Sequence, residues 1–179
     1  EWTHTFDAEG GVDIAIEVSV DPEMPPLPRV GMRMLLCEKP EAVSWLGRGP
    51  HENYPDRKLS ADLGDWSCDR QAMQTPYIFP SDNGLRCDVR QAVIGSVCIA
   101  RIDGDFAFAV SDFGVESLMR AEHTFECIEQ PALHVHIDGY HMGVGGDDSW
   151  TPSVRPEYLL TAETYRWGCR LSVALDEKA

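Results

Sequence analysis

The chain of 179 residues has the size of one all-β domain, and its 43% hydrophobic and 25% charged residues are close to the average of globular proteins, which argues against extensive disorder. Its formal net charge of −15 makes it a poor partner for nucleic acid and for anionic membranes. No apolar run of about 18 residues occurs and no signal peptide is recognisable, so the sequence predicts no membrane span.

Period-two alternation of apolar and polar residues predicts β-strands from the start of the chain. Asp7–Gly11 predicts a hairpin turn. Asp21–Pro28 contains four prolines and predicts a loop, because proline cannot donate to a strand ladder. The predicted strands of this region are Trp2–Phe6, Val12–Val20, Val30–Leu36 and Ala42–Leu46.

The next stretch, Gly47–Pro80, shows no periodicity, and we predict a long irregular segment with a functional or interface role. After it, Gly84–Val93 is a candidate strand. Ser96–Ile102 and Asp105–Val110 predict a hairpin closed by the turn Asp103-Gly104. Strand alternation therefore resumes beyond the irregular segment.

One short helix is predicted at Val115–Glu122, where Ser111 or Asp112 would cap the first turn and Leu118 and Met119 would be buried. The remaining predictions are strands at Leu133–Ile137, Glu157–Leu160 and Cys169–Leu175, with a turn region at Thr161–Arg166. About ten strands, one helix and no linker predict a single all-β domain over the whole chain, a large antiparallel β-sandwich.

The six cysteines form no Cys-x-x-Cys pair, which argues against a zinc cage. Cys98 and Cys169 lie within apolar strand patterns, where a free cysteine acts as a small hydrophobic residue. Cys87 follows Arg86, a cation that would lower its pKa, so a reactive thiol is a minor alternative at this position. We therefore predict reduced thiols and a cytoplasmic protein.

The segment Ile137–Tyr158 is the part of the chain best suited to contact a ligand. Its glycines permit positive φ, and Asp147 and Ser149 can fix a turn by accepting hydrogen bonds from nearby amides. Trp150 would then lie on a fixed loop beside acceptor groups, an arrangement that suits stacking on a sugar. The simpler interpretation is that Trp150 plugs the end of the sandwich core.

Three histidines give a second candidate site. His134 and His136 fall on one strand face, because side chains two residues apart point the same way, and His141 follows. With Asp147 they would form a metal site of the cupin-like kind, but no carboxylate follows at the spacing that such a motif needs. A solvated polar strand face is the simpler interpretation. Adjacent carboxylates diverge, so Asp147 and Asp148 are not assigned as a catalytic pair, and the sequence predicts no catalytic residue.

Three stretches carry a resemblance to a known family. They are WLGRGPHENYPDR (Trp45–Arg57), TPYIFPSDNGLRCDVR (Thr75–Arg90) and IDGYHMGVGGDDSWTPSV (Ile137–Val154). In order and spacing they resemble the C-terminal, small-chain domain of large bacterial β-galactosidases of glycoside hydrolase family two. The match begins part-way into that domain and the chain starts inside a strand pattern, so we expect an excised piece that lacks the first strands and has exposed sheet edges.

The resemblance implies that catalysis takes place elsewhere. A (β/α) barrel outside this chain would supply both catalytic glutamates and the magnesium ligands, with sodium as a further candidate ion in other domains. Strand alternation over this length leaves no room for a barrel of about 250 residues. The fragment alone is therefore expected to be inactive and to need no cofactor.

The resemblance also assigns roles to the glycine-rich segment. The family's tryptophan in GGDDSW stacks on substrate, chiefly the aglycone sugar, and this sequence has Trp150 at that position. The implied stacking role replaces the core-plug interpretation. His141, Asp147 and Asp148 are then expected to be loop scaffold rather than ligands.

We therefore expect the C-terminal β-sandwich domain of a retaining β-galactosidase that hydrolyses terminal β-galactosides such as lactose. The expected partners are a galactoside or aglycone sugar, the catalytic barrel and other domains of the same enzyme, and further copies in a homo-oligomer. Two alternatives stay open: a free-standing carbohydrate-binding module, and a metal-dependent cupin-like enzyme that uses His134, His136 and His141.

Overall fold

A computed structural model describes residues 1–148, 150–151 and 153–173. In this part of the chain there are eleven strands and one α-helical turn, α1. Short 3₁₀ turns follow at Arg70–Met73, Thr124–Glu126 and Pro156–Tyr158. The elements are β1 (Trp2–Phe6), β2 (Val12–Ser19), β3 (Arg29–Leu36), β4 (Ala42–Gly49), β5 (Asp62–Asp69), β6 (Arg86–Val89), β7 (Gln91–Ile94), β8 (Val97–Asp103), β9 (Phe106–Ser111), α1 (Val115–Leu118), β10 (Leu133–His141) and β11 (Thr164–Val173).

The strands form two sheets, and every described strand pair is antiparallel. One sheet has seven strands in the order β1-β2-β11-β8-β7-β4-β5, and the other has four in the order β3-β10-β9-β6. The predicted all-β antiparallel sandwich with one short helix is confirmed. None of the helices in the described ranges has the length and apolarity needed to cross a membrane.

The core lies between the two sheets and is made by inward-facing residues of every described strand except β1, which is exposed along its length. In the four-stranded sheet Phe108, Val135 and Ile137 are fully buried. Trp45 and Ile99 of the seven-stranded sheet belong to the same cluster. Burial of large apolar side chains at this density supplies the main stabilisation of the fold.

The chain changes sheets at two turns that the sequence does not reveal. Gly84–Val93 is not one strand: β6 pairs with β9 in the smaller sheet, whereas β7 pairs with β4 and β8 in the larger. Asp103-Gly104 does form a turn, with Gly104 at φ +75°. However, β8 and β9 belong to different sheets, so the predicted hairpin is wrong.

The segment predicted to be irregular contains regular structure. Within Gly47–Pro80, β4 continues to Gly49 and the edge strand β5 pairs with it along its whole length. The apolar signal of β5 is weak because, of its inward-facing positions, Gly64 has no side chain and only Trp66 and Cys68 are apolar. A sheet edge needs little apolar surface, so its strand leaves a faint pattern.

The last part of the chain also differs from prediction. Glu157–Leu160 is not a strand, because a 3₁₀ turn begins at Pro156 and its proline cannot join a central ladder. The predicted turn region Thr161–Arg166 already contains the start of β11 at Thr164, whose Tyr165 and Trp167 point into the core.

The helix is shorter than predicted. α1 is a single turn whose N-cap is Gly114, with no side-chain cap. Leu118 is buried as predicted, but Met119 is 81% exposed. The proposed caps act elsewhere: the Ser111 hydroxyl accepts a hydrogen bond from the Phe113 amide, and the Asp112 carboxylate pairs with a lysine and an arginine.

All six cysteines are in the described part of the chain, and none forms a disulfide. Cys87 is buried, and its thiol donates to the Asn53 carbonyl. Burial raises the pKa of Cys87 to about 12, so the minor alternative of a reactive thiol there is wrong. Cys169 is also buried within the core, as its apolar pattern predicted.

Gly139 gives a testable measure of core packing. It lies at an irregularity of β10, where a Cβ would sit 2.2 Å from Cγ of Trp167. Gly139→Ala should lower the free energy of unfolding by about 3 kcal/mol, because the buried indole cannot move aside freely. Gly64→Ala is the control, since its Cβ would meet only ordinary contacts at 3.4 Å. Urea titration of the purified chain checks this, and equal effects of both changes would contradict the proposed clash.

Candidate functional site

The three stretches singled out in the sequence meet at one end of the smaller sheet. Each stretch contributes to one loop, and we call these loops the ENYP loop (residues 50–61), the 75–84 loop and the glycine loop (residues 142–158). The Asn53 amide of the first donates to the carbonyl of Leu85, just after the second. The Gly145 amide of the third donates to Asp56 of the first. Segments far apart in sequence therefore build one surface.

Asn53 anchors the ENYP loop to β6. It is fully buried, its side-chain oxygen accepts from the Cys87 amide at 2.9 Å, and its side-chain nitrogen donates to the His51 carbonyl at 3.1 Å. A buried amide with its donors and acceptors satisfied fixes a loop strongly. The next residue, Tyr54, points inward and packs in a second apolar cluster with Leu85.

Glu52 ties the ENYP loop to the 75–84 loop. It accepts hydrogen bonds from Tyr77, from the Tyr54 hydroxyl at 3.0 Å and from the Gly84 amide at 2.9 Å. Burial alone would raise the pKa of Glu52, but these donors together hold it below its usual value. Burial also raises the pKa of the Tyr54 hydroxyl, which therefore stays a neutral donor.

A cavity of about 320 Å³ opens between the three loops. Its lining includes Tyr54, Leu85, His141, Val144 and Arg29. The polar groups of this lining are largely engaged within the chain, because Tyr54 donates to Glu52 and His141 Nδ1 lies 2.7 Å from the Met142 carbonyl. What the cavity presents is mainly apolar surface.

Arg29 is the hub of a charged cluster beside this cavity. It pairs with Asp82, and its guanidinium lies 3.0 Å from Nδ1 of His136 and 3.6 Å from Oδ2 of Asp138. Asp138 is only 1% exposed, and burial raises its pKa to about 7 although Arg29 opposes the shift. Burial also lowers the pKa of His136, and the positive charge of Arg29 adds to this. We expect a neutral His136 that accepts from Arg29.

The face that carries His134 and His136 is mostly buried, with only His136 partly exposed, which corrects the simpler sequence interpretation. On β9, His136 lies opposite Ala109 and Asp138 opposite Ala107, both in the second apolar cluster, whereas His134 lies opposite Ser111 and is 8% exposed. Burial lowers the pKa of His134. Among the residues that the structure describes, no group of three or more His, Cys, Asp or Glu side chains could hold a metal ion. The cupin-like alternative with His141 therefore finds no support in this region.

Trp150 stands out from the glycine loop. Its side chain is 90% exposed, so the interpretation of Trp150 as a core plug is wrong. The Asp148 carboxylate accepts from the amides of Trp150 at 2.8 Å and Thr151 at 2.7 Å, and from the Thr151 hydroxyl. These bonds hold the pKa of Asp148 below its usual value. Ser149 lies outside the described residues.

The other two predicted scaffold residues have weaker contacts. Asp147 pairs with Arg155 across the loop at 2.8 Å, but both side chains are about 60% exposed, so the pair contributes little energy. The ring of His141 lies 5.9 Å from that of Tyr54 and connects the start of the glycine loop to the ENYP loop. Together these contacts place the exposed side chain of Trp150 on a loop that is held by hydrogen bonds.

The family profile described as beta galactosidase small chain matches residues 1–171. The chain belongs to this family. A beta-galactosidase of Aeromonas hydrophila is 51% identical over 174 residues, which cover 95% of this chain and 17% of that protein. For Psychromonas ingrahamii the identity to its beta-galactosidase is 46%, over 93% of this chain and 16% of the relative.

A beta-galactosidase of Vibrio cholerae is 43% identical over 96% of this chain. The chain spans about one sixth of the length of these curated relatives. The resemblance inferred from the three stretches is thus confirmed at the level of the small-chain family.

Sequence reasoning missed three residues of this site. Asp56 and Asp138 lie within singled-out stretches and Arg29 directly follows the loop Asp21–Pro28, yet their partners are distant in sequence. One signal was available for Asp56, since the ENYP loop contains a single aspartate after Pro55 in a segment without strand periodicity. Nothing in the local pattern separates Arg29 or Asp138 from ordinary strand residues.

Proposed function

We propose that this chain forms the C-terminal β-sandwich of a β-galactosidase and walls one side of its active site. Hydrolysis of terminal β-galactosides such as lactose would take place on a catalytic barrel in another part of the enzyme, with retention through a covalent galactosyl-enzyme. Membership of the small-chain family supports this proposal. So does the length of the beta-galactosidases that contain a matching segment.

One observation carries the role proposed for the domain: Trp150 is 90% exposed on a loop whose backbone is held by side chains. Exposing an indole to water is unfavourable, and a fixed aromatic plane is suited to the apolar face of a sugar. We assign this surface to the aglycone sugar. His141, Asp147 and Asp148 would support the loop without contacting substrate.

The same proposal covers the implied ions and partners. Magnesium, with sodium as a further candidate, would bind in other domains, and no metal cluster is found among the side chains that the structure describes. The domain would pack against the rest of the enzyme, which we expect to be a cytoplasmic homo-oligomer. A free-standing sugar-binding module is less well supported, because the matching relatives are about six times longer than this chain.

The test uses the full-length protein that carries this segment. Trp150→Ala should weaken binding of lactose, and of glucose as acceptor, by about tenfold, because a stacking contact is lost. The half-exposed Trp2 of β1 is the matched control, and Trp2→Ala should leave the binding constants for lactose and for glucose unchanged. Steady-state kinetics with lactose, and acceptor competition by glucose, measure the effect.

Different results would contradict the enzymatic assignment and the stacking role of Trp150. A full-length protein that hydrolyses no β-galactoside would contradict the enzymatic assignment. A hydrolase in which Trp150→Ala behaves as the wild type would keep that assignment but remove the stacking role.

A further inference from the structure

We propose that Asp56 of the ENYP loop is a positioning residue that fixes the glycine loop and so sets the place of Trp150. Its effect on sugar binding rests on the proposed function, whereas its effect on the loop does not. The two residues are 94 positions apart in sequence, and the structure connects them through Gly145 and Asp148.

The contact between Asp56 and the glycine loop is close. Oδ2 of Asp56 accepts from the Gly145 amide at 2.8 Å. A Cβ at Gly143 would lie 2.5 Å from the same oxygen. Gly145 has φ +70°, and a Cβ there would lie 2.6 Å from the Ser153 carbonyl oxygen. The loop therefore passes between Asp56 and the segment that follows it, and glycine at both positions permits this approach.

Asp56 is itself held in place by the ENYP loop. The Arg57 amide closes a turn around it by donating to the Tyr54 carbonyl at 2.8 Å. The Arg57 guanidinium lies 5.8 Å from the centre of the buried Tyr54 ring. Because Asn53 fastens this turn to Cys87 of β6, the position of Asp56 is set by the smaller sheet. Asp56 thus transmits the geometry of the sandwich to the loop.

The two carboxylate oxygens of Asp56 differ in their contacts. Oδ1 is buried and has no hydrogen-bond partner among the described residues. An acceptor left unused in this way costs stability. The compensating feature is the charge-assisted bond of Oδ2 to the Gly145 amide, which is stronger than a neutral one. Because this bond ends on the Gly145 amide, it holds the glycine loop.

The glycine loop passes this constraint to Trp150. The Asp148 carboxylate accepts hydrogen bonds from the amides of Trp150 and Thr151, which fixes these two residues relative to Asp148. The Gly143 amide donates to the Tyr158 carbonyl at 2.9 Å and holds the base. Releasing Asp56 frees the middle of the loop between these two fixed points, and the indole loses its set position.

Hydrogen exchange of the full-length protein, read by mass spectrometry on peptides that cover the glycine loop, tests the contact directly. Asp56→Ala should speed exchange there by about tenfold, and Asp56→Asn, which keeps an acceptor oxygen, should restore much of the protection. Asp65→Ala, at an exposed position of β5, is the control and should change nothing in the loop. Unchanged exchange in Asp56→Ala would overturn the proposal.

A double-mutant cycle tests whether Asp56 acts through Trp150. Asp56→Ala should weaken glucose acceptor binding several-fold while the turnover of an activated galactoside stays the same. In a Trp150→Ala background the same change should have no further effect. Equal effects in both backgrounds would overturn the proposal. If Trp150→Ala alone is without effect, the stacking role fails, and the exchange result still decides whether Asp56 fixes the loop.

Discussion

Replacing Arg86 with alanine is expected to lower the free energy of unfolding by about 4 kcal/mol. Arg86 is 2% exposed, and its guanidinium donates to the carbonyls of Pro50 at 3.0 Å and Gly84 at 2.8 Å. It also lies 5.2 Å from the centre of the Trp45 ring. Alanine leaves these carbonyls without a donor and opens a cavity beside the indole.

The reason for so large an effect is that Arg86 joins three segments through neutral acceptors. Burial lowers the pKa of its guanidinium, and no carboxylate in the described part of the chain forms an ion pair with it. Carbonyl dipoles and the face of Trp45 replace water around the charge. Arg86→Lys should also be destabilising, because an ammonium group cannot reproduce the planar fork.

Urea titration of the purified chain measures the Arg86 effect. The matched control is Arg166→Ala, which breaks a two-point contact with Glu17 at 2.8 and 2.9 Å. Arg166 is 70% exposed, so its loss should change stability very little. A loss for Arg86→Ala no greater than that for the control would show that the buried guanidinium does not join the loops.

Asp138 is expected to make the domain less stable as pH rises from about 4 to about 7, by about 4 kcal/mol in total. Its carboxyl has an unfolded reference pKa of 3.8, and burial raises its folded pKa to about 7. The folded state therefore binds the proton more tightly across this range. Stability from this group is complete below pH 4 and is lost as pH passes through 7.

Asp138→Asn isolates this effect, since the amide keeps the shape of the side chain and cannot titrate. The difference in unfolding free energy between variant and wild type should grow from pH 4 to pH 7 and then level off. Asp65→Asn, at an exposed position, is the control. A difference that stays constant with pH would contradict a protonated Asp138. Comparison with the variant removes the opposite trend expected from Glu52 and Asp88, whose pKa values are lowered.

Strand alternation predicts most of the sandwich but not the assignment of strands to sheets. Phe106 and Phe108 alternate in the same way whether their strand pairs with β8 or crosses to the other sheet. Arg90 and Gly104 mark two of the crossings between the sheets, and a local pattern cannot distinguish them from turns within a sheet. That distinction depends on pairing with β10 and β11, which come later in the chain.

The sequence likewise predicts some residues of the candidate site and not others. Trp150 lies in a stretch long enough to be singled out by resemblance, and its exposure corrects the expectation from composition that a loop tryptophan anchors the core. Asp56 acts through a bond that spans 89 residues, and Arg29 reaches across 53 residues to Asp82. Contacts of this range leave no trace in spacing or periodicity.

The burial of the strand face that carries His134 and His136 could not be predicted from the local sequence either. Sequence places His134 and His136 on one side of a strand, but it does not show what covers that side. Ala107 and Ala109 are small enough for the ENYP loop to pack Tyr54 nearby, in the same apolar cluster. The covering segment comes from another part of the chain, so a face that reads as polar becomes an interior one.

The place of β11 in its sheet has a consequence for synthesis of the protein. β11 is the last strand described in the chain, yet it lies third in its sheet, between β2 and β8. While a ribosome is still making this segment, the edge of β2 that β11 later covers has no partner strand. The larger sheet therefore cannot close until residues 164–173 have emerged, so folding of this domain must follow their translation rather than accompany it.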